Sequence, residues 1–178
     1  MHVGPLSRIR WFALLLGWLW SLGALGQDIF RQPGRWLDDQ QQPFELSALR
    51  GQATVMTMAY GACRRICATS LRAMEQIQKL ADDRRLNLNF VVVGLDPTVD
   101  RPSDWAQLRA ERGLVGGNWR FLSGDEASTR RLARSLGIQY WRYGEHTLHD
   151  FRIVLLSPDG RPARQLDAAD QPVAALLP

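Results

Sequence analysis

Two apolar runs with a helical pattern between them organise the first half of the chain. Residues 53–60 and 88–95 are both predicted to be strands, and the second run is apolar enough for a strand buried on both faces. Between these runs, apolar positions recur at the spacing of one helix face: Cys67, Leu71, Met74, Ile77 and Ala81. The pattern predicts a helix over residues 64–82. Strand, helix and strand at this spacing indicate a βαβ unit with parallel strands and a right-handed crossover.

Two further helices on either side of a short strand are predicted next. Pro102 favours the start of a helix over about 103–112. Residues 119–122 are a short strand candidate. The sequence Ser-Gly-Asp-Glu at 123–126 matches the S-x-x-E capping box and predicts a helix that ends at Gly137.

The last part of the chain is predicted to form a loop, a hairpin and a short helix. Residues 138–150 are expected to be a loop rich in aromatic residues and histidine. Two strands, at 151–156 and 161–166, flank a Pro-Asp-Gly turn, and a short helix is expected at 170–177. A βαβ unit followed by an antiparallel hairpin predicts an α/β, thioredoxin-like fold. Its mixed central sheet would be flanked by helices on both faces.

The N-terminal 26 residues resemble a targeting segment. Arg8 and Arg10 precede a charge-free apolar stretch over 11–25, and small residues lie around its end, at Ala24 and Gly26. This order is typical of a secretory signal peptide cut after Gly26, and the stretch is shorter than the ~20 residues of a spanning helix. The alternative is an uncleaved membrane anchor. Both place the remaining chain outside the cytoplasm, in the periplasm or at the inner membrane.

With 178 residues, the chain is long enough for a leader and one domain. The expected division is a leader at 1–26, a linker and approach to an edge hairpin at 27–43, and one thioredoxin-like domain at 44–178. The net charge is +4, and its basic residues, almost all arginine, are scattered along the sequence. This distribution indicates a solvated surface, so no nucleic-acid partner is expected.

The only two cysteines, Cys63 and Cys67, lie at the predicted strand-to-helix corner. Unpaired N–H groups at a helix N-terminus, together with Arg64 and Arg65, favour thiolates there. Residues four apart share a helix face, so the pair could form a structural disulfide, act as a redox dithiol, or bind a metal. Three intervening residues suit a chelate at least as well as a catalytic disulfide. Two thiolates suit Cu(I), and an added imidazole would also accommodate Cu(II).

Candidate third ligands are few, because the chain has three histidines and His2 belongs to the leader. His146 and His149 lie together just before the last hairpin. In a thioredoxin-type sheet, the segment that enters this hairpin passes over the cysteine corner.

Three motifs in order resemble the Sco/SenC family, the copper-binding assembly factors of cytochrome c oxidase. They are the C-x-x-x-C pair, the D-P-x-x-D-x-P stretch at 96–102, and a histidine eight residues before the first residue of an x-P-D-G turn. The segment at 119–137 is also similar to the family. The resemblance covers about residues 36–167. Gly61, Arg64 and Ala68 depart from it, because the family usually has threonine, proline and proline at these places.

The resemblance implies a copper metallochaperone with Cys63, Cys67 and His149 as ligands for Cu(I) or Cu(II). It implies a copper-site subunit of cytochrome c oxidase, or another copper chaperone, as the partner. His146 has no counterpart among the family's ligands and is expected to be an exposed histidine.

Other residues near the motifs have structural interpretations of their own. Asp96 is expected to form a turn before proline, with a role beside the metal or a partner as the alternative. Asp100 is expected to cap the following helix. Tyr140, Trp141 and Tyr143 are expected to pack the loop, to border the site or to contact a partner.

Two alternatives to copper delivery remain open. An extracytoplasmic thiol–disulfide oxidoreductase would reduce the cysteines of a copper-site target and would need Cys63 and Cys67 as catalytic residues, but not His149. A copper or redox sensor would instead change conformation near residues 138–150.

Overall fold

The computed structural model describes residues 27–61 and 66–178, without the side chains of residues 66–68. The main sheet contains seven strands: β1 Trp36–Asp38, β2 Pro43–Phe44, β3 Thr54–Ala59, β4 Asn89–Gly94, β5 Trp119–Gly124, β8 Ile153–Leu156 and β9 Pro162–Leu166. A separate two-stranded sheet contains β6 Tyr140–Tyr143 and β7 His146–His149. The α-helices are α1 Ile66–Asp83, α2 Pro102–Glu111 and α3 Glu126–Leu136. Short 3-10 helices lie at Ile29–Arg31, Leu46–Leu49 and Val173–Leu176.

The main sheet has the order β2-β1-β5-β4-β3-β8-β9. Its centre is parallel, with β4 between β3 and β5, while β1, β8 and β9 join by antiparallel pairing. The predicted βαβ unit is confirmed, because α1 connects the paired parallel strands β3 and β4. The predicted final hairpin is confirmed as β8 and β9.

Apolar layers cover both faces of this sheet. On one face, Leu71 and Met74 of α1 and Trp105 of α2 pack on the sheet. On the other, Leu132 and Leu136 of α3 pack beside the first two 3-10 helices. Every residue of β3 is buried, as expected for a central strand covered on both sides. The predicted mixed sheet with helices on both faces is therefore confirmed.

Residues 27–43, predicted as a linker and hairpin approach, contribute to the folded core. Ile29, Phe30 and Trp36 are buried, and β1 pairs with β5 while β2 forms the sheet edge. The apolar side chains in this otherwise polar segment explain why it packs, and the folded unit includes residues before 44. The predicted leader at 1–26 lies outside the described residues. Among those that are described, no helix is long and apolar enough to span a membrane.

The predicted cap of α3 was wrong. Asp125, rather than Ser123, is the N-cap residue, and its side chain accepts a hydrogen bond from the Ser128 N–H at 2.8 Å. Ser123 is held in β5, and its hydroxyl donates to the Asp100 carbonyl. Pairing between β5 and β1 extends the strand through the expected start of the capping box. Gly137 ends α3 as predicted, in the left-handed conformation with φ of 68°.

The prediction of a loop over residues 138–150 was also wrong, because most of this segment forms the β6–β7 hairpin. Tyr140 pairs with His149, and Tyr143 pairs with His146. The connection is only Gly144 and Glu145, and Gly144 has φ of 60°. A positive φ at the first central residue is the requirement of a tight type II′ hairpin turn. The histidines and aromatic residues predicted to lie in a loop therefore lie on strands: Tyr140, Trp141 and Tyr143 on β6, and His146 and His149 on β7.

Candidate metal site

The cysteine motif begins after β3 and ends in the first turn of α1. Cys63 is outside the described residues. Cys67 falls in the first turn of α1, and its side chain is not described. The flanking residues are described on both sides, since Tyr60 and Gly61 follow β3 and α1 begins at Ile66. The predicted position of the motif between a strand and a helix therefore agrees with the described elements.

The carboxylate of Asp100 joins two loops at the ends of neighbouring strands. Its Oδ1 accepts from the Gly61 N–H at 2.7 Å, and its Oδ2 accepts from the Asp96 N–H at 2.8 Å. The prediction that Asp100 caps α2 was wrong, because Arg101 occupies the N-cap position. Asp100 instead holds the chain two residues before Cys63. Gly94 makes room for it, because a Cβ there would lie 2.5 Å from the Asp100 Cβ.

Burial determines the protonation of Asp100. The residue is 1% exposed, and desolvation raises the pKa of its carboxyl from 3.8 to about 6. The N–H groups of Gly61 and Asp96 oppose the rise because they stabilise the anion, but they do not cancel it. The anchor of the cysteine-bearing segment therefore titrates in a mildly acidic range.

Asp96 connects the end of β4 to the β6–β7 hairpin. Its Oδ1 accepts from the Thr98 N–H at 3.0 Å and from the Thr98 hydroxyl at 2.6 Å, which confirms the predicted turn. Its Oδ2 accepts from Arg142 Nη2 at 3.0 Å and from the Thr147 hydroxyl at 3.3 Å. Burial alone would raise the pKa of Asp96, but the Thr98 bonds and the Arg142 charge lower it. Asp96 is thus an ionised clamp on the hairpin.

The tip of the hairpin is tied to the end of β3. The Tyr60 hydroxyl donates to the Glu145 carbonyl at 3.3 Å, and Tyr60 is buried. Together with the Asp96 clamp, this contact fixes the hairpin over the ends of β3 and β4. The cysteine-bearing segment leaves the sheet at the same edge. The hairpin that carries His149 is therefore positioned beside the place where that segment begins.

His149 is a buried, neutral and oriented imidazole. It is 6% exposed, and its Nδ1 lies 2.7 Å from the Asp150 carbonyl oxygen. A carbonyl oxygen only accepts hydrogen bonds, so Nδ1 carries the proton and Nε2 carries the lone pair. Burial lowers the pKa of His149, although contacts with Asp150 oppose the shift. A neutral imidazole oriented through its other nitrogen is the form that binds metals.

The remaining predicted residues divide between core and surface. His146 is exposed, as predicted. Tyr140 packs against the core beneath α3, whereas Trp141 and Tyr143 are 51% and 72% exposed. Within the described part of the chain, no three His, Asp or Glu side chains cluster closely enough to hold a metal ion.

Sequence reasoning missed Arg142 and Thr147 as partners of Asp96. A signal for their placement was present, because aromatic and β-branched residues flank a Gly-Glu pair in the segment 140–149. Such a pattern is typical of a two-residue hairpin, in which Arg142 and Thr147 are cross-strand neighbours.

The family model described as SCO1/SenC matches residues 24–176. The chain belongs to the SCO1/SenC family. This SCO1/SenC protein is 27% identical over 130 residues to a Stutzerimonas stutzeri protein that is named as copper-binding. The match covers 70% of this chain and 62% of that relative, so the chain spans less than two thirds of the relative's length.

Solved structures show that this SCO1/SenC protein has the family's thioredoxin-like fold. Copper-bound ScoI of Arabidopsis thaliana matches with a TM-score of 0.71 and 19% identity, over 83% of this chain and 92% of that one. BsSco, a member of the Sco family of cytochrome c oxidase assembly proteins with an identified disulfide switch, matches with a TM-score of 0.70 and 19% identity. That match covers 83% of this chain and 87% of the other.

Proposed function

We propose that this SCO1/SenC protein is a copper metallochaperone that binds copper through Cys63, Cys67 and His149. It acts outside the cytoplasm, in the periplasm or tethered to the inner membrane by its leader. Its partner is the copper-site subunit of cytochrome c oxidase or another copper chaperone, and it assists assembly of the binuclear copper centre. The observation that carries the proposal is His149, which is buried and oriented on a hairpin tied to the end of β3, where the cysteine-bearing segment begins.

The donor set fits copper as cargo. Two thiolates are soft ligands that favour Cu(I), and an imidazole extends the set to Cu(II). The Asp150 carbonyl holds the Nδ1 proton, so Nε2 of His149 is the ring nitrogen that can bind. Transfer to the recipient would proceed by ligand exchange and would require no turnover chemistry by the protein.

The relatives support the same role. The Stutzerimonas stutzeri relative is named as copper-binding, and the Arabidopsis thaliana ScoI structure contains copper. BsSco is described as a cytochrome c oxidase assembly protein. Membership of the shared family makes oxidase assembly the leading proposal for this chain.

Copper affinity in matched histidine variants tests the ligand set. The variants are His149→Ala and His146→Ala, and copper would be titrated against a chromophoric chelator in reduced protein. Mutation of a residue that only hydrogen-bonds to a metal ligand lowers metal affinity by about 10–100-fold. Loss of a ligand should cost at least as much, so we expect His149→Ala to bind at least about tenfold more weakly. His146→Ala should match the wild type because His146 is exposed and faces Tyr143 at the hairpin tip. Equal affinity in all three proteins would contradict the assignment.

Thiol–disulfide exchange is a second candidate function. Arg64 and Arg65 lie between Cys63 and Cys67 in the sequence, and positive charge beside a helix start favours a thiolate. In this reaction, the dithiol of Cys63 and Cys67 would become a disulfide while a partner's disulfide became two thiols. Exchange with an oxidised model peptide that persists in His149→Ala, with copper affinity also unchanged, would favour this function over copper delivery.

A further inference from the structure

A cleft next to the β6–β7 hairpin contains none of the proposed copper ligands in its lining. It has a volume of about 680 Å³ and lies between α3 and β6. The turn at the end of β4, including Asp96 and Pro97, also lines it. The cleft thus lies beside the hairpin that carries His149. It borders β6, the strand that pairs with the His149 strand β7.

The backbone edge of β6 borders the cleft. Gln139 and the first three residues of β6, Tyr140 to Arg142, line it, although successive side chains of a strand point to opposite faces. Lining by consecutive residues therefore indicates that the strand presents its edge. The Asp150 N–H donates to the Gln139 carbonyl across the hairpin. Hydrogen-bonded pairs alternate along an antiparallel ladder, so the peptide groups of Tyr140 and Arg142 point away from β7.

The charged side chains that line the cleft are three arginines and the two carboxylates of Asp96 and Glu126, so its net charge is positive. Arg130, Arg134 and Arg142 line the cleft. Arg130 pairs with Glu126 and Arg142 pairs with Asp96. Arg134 is exposed and has no carboxylate partner among the described residues.

An exposed aromatic side chain completes the surface. Trp141 lines the cleft and is 51% exposed, and Tyr143 beyond it is 72% exposed. Tryptophan, tyrosine and arginine are the residues most enriched among the energetic anchors of protein interfaces. A tryptophan beside arginines therefore favours a protein ligand over a small anion.

We propose that this cleft docks an extended, acidic segment of a partner protein, which adds to β6 as a third strand. The inference rests on the proposed function, since the partner would be the recipient or donor of copper. Main-chain hydrogen bonds would hold the segment, and its carboxylates would meet Arg134 and its neighbours. A strand spacing of about 5 Å places the docked segment about 10 Å from β7, which carries His149. A concave cleft with an open strand edge suits a peptide better than a flat anionic membrane.

Peptide binding to the full-length protein in mild detergent, free of copper, tests the proposal. The probe is a fluorescent peptide of alternating glutamate and valine, followed by anisotropy. Matched variants are Arg134→Glu in the cleft and Arg131→Glu, an equal charge change on the exposed part of the same helix but outside the cleft. We expect Arg134→Glu and Trp141→Ala to weaken binding about tenfold, and Arg131→Glu to have little effect. A peptide N-methylated at alternate residues, on the edge that would face β6, should bind far more weakly.

Several results would overturn the proposal. Equal losses of peptide affinity in Arg134→Glu and Arg131→Glu would indicate diffuse electrostatic attraction of the peptide to an arginine-rich helix. Unimpaired binding of the N-methylated peptide would exclude strand addition. Binding to anionic vesicles, weakened equally by both arginine variants, together with no peptide binding, would identify a membrane surface instead. Copper affinity, measured separately in the same variants, should not change, so failure of docking is distinguishable from failure of the copper assignment.

Discussion

Replacement of the buried anchor Asp100 by asparagine should change how stability depends on pH. Burial raises the pKa of the Asp100 carboxyl from 3.8 to about 6 in the folded protein. Between these values the folded state keeps a proton that the unfolded state has lost, so wild-type stability falls as pH rises through this window. Asparagine cannot ionise. Asp100→Asn should therefore gain stability relative to the wild type as pH rises from about 4 to about 7.

The magnitude follows from the two pKa values. The difference between about 6 and 3.8, at about 1.4 kcal/mol per pH unit, corresponds to about 3 kcal/mol. The amide also introduces a cost that does not vary with pH. Both carboxylate oxygens of Asp100 accept backbone N–H groups, from Gly61 and Asp96, and the amide NH₂ cannot accept from one of them. That mismatch costs about 1–3 kcal/mol at every pH, so the slope with pH is the observable.

The assay is denaturant unfolding of the reduced, copper-free protein at several pH values, analysed by linear extrapolation. Asp104→Asn is the matched control, because the pKa of Asp104 is lowered by its hydrogen bond from Arg101. The Asp104 carboxylate is ionised in both the folded and the unfolded protein above about pH 5, so this variant and the wild type should give parallel curves from about pH 5 to 7. Parallel curves for Asp100→Asn and the wild type between pH 4 and 7 would refute the reasoning.

Three further predictions follow from individual contacts. Asp39→Ala removes the carboxylate partner of the half-buried Arg109, which keeps its hydrogen bonds to the Leu114 and Gly116 carbonyls. The free energy of unfolding, measured with denaturant, should fall by about 2 kcal/mol. Arg130→Ala, at an exposed pair, should lower it by less than about 1 kcal/mol. Gly137→Ala places a side chain at φ of 68° and should lower stability by about 1 kcal/mol, measured by thermal unfolding. Because burial lowers the pKa of His149, its NMR titration should fall below the ordinary 6.5, and its neutral, metal-binding form should persist to lower pH than that of a free imidazole. A midpoint for His149 at or above 6.5 would contradict this prediction.

The central architecture was predictable because its signals are local and strong. The runs at 53–60 and 88–95 are largely apolar, and a helical repeat separates them. Such a pattern is consistent with little besides a buried parallel pair and its crossover. Pro102 and Gly137 likewise marked helix ends, because each residue constrains the backbone directly.

The errors arose where distant partners determine the outcome. Ser123 and Asp125 can both cap a helix, and the choice between them depends on the pairing of β5 with β1. Asp100 has the sequence context of a helix cap, yet its carboxylate bonds to Gly61, 39 positions away. Residues 27–43 were predicted to be a linker, but Trp36 lies in β1 of the main sheet and is buried.

The candidate site was predictable only in part for the same reason. Sequence spacing and family resemblance singled out His149, but not its burial, its tautomer or the Asp96 clamp. These depend on the register of the β6–β7 hairpin, which pairs Arg142 with Thr147. Cys63 and the Cys67 side chain lie outside the part of the chain that the structure describes, so their contribution to the ligand set stays a prediction.

The ligand shell of bound copper tests the central claim most directly. X-ray absorption spectroscopy of the Cu(I)-loaded full-length protein should show two sulfur ligands and one imidazole nitrogen. In His149→Ala the imidazole contribution should disappear while both sulfurs remain, and His146→Ala should match the wild type. An imidazole contribution that persists in His149→Ala, or a wild-type shell without sulfur, would contradict the proposed copper site.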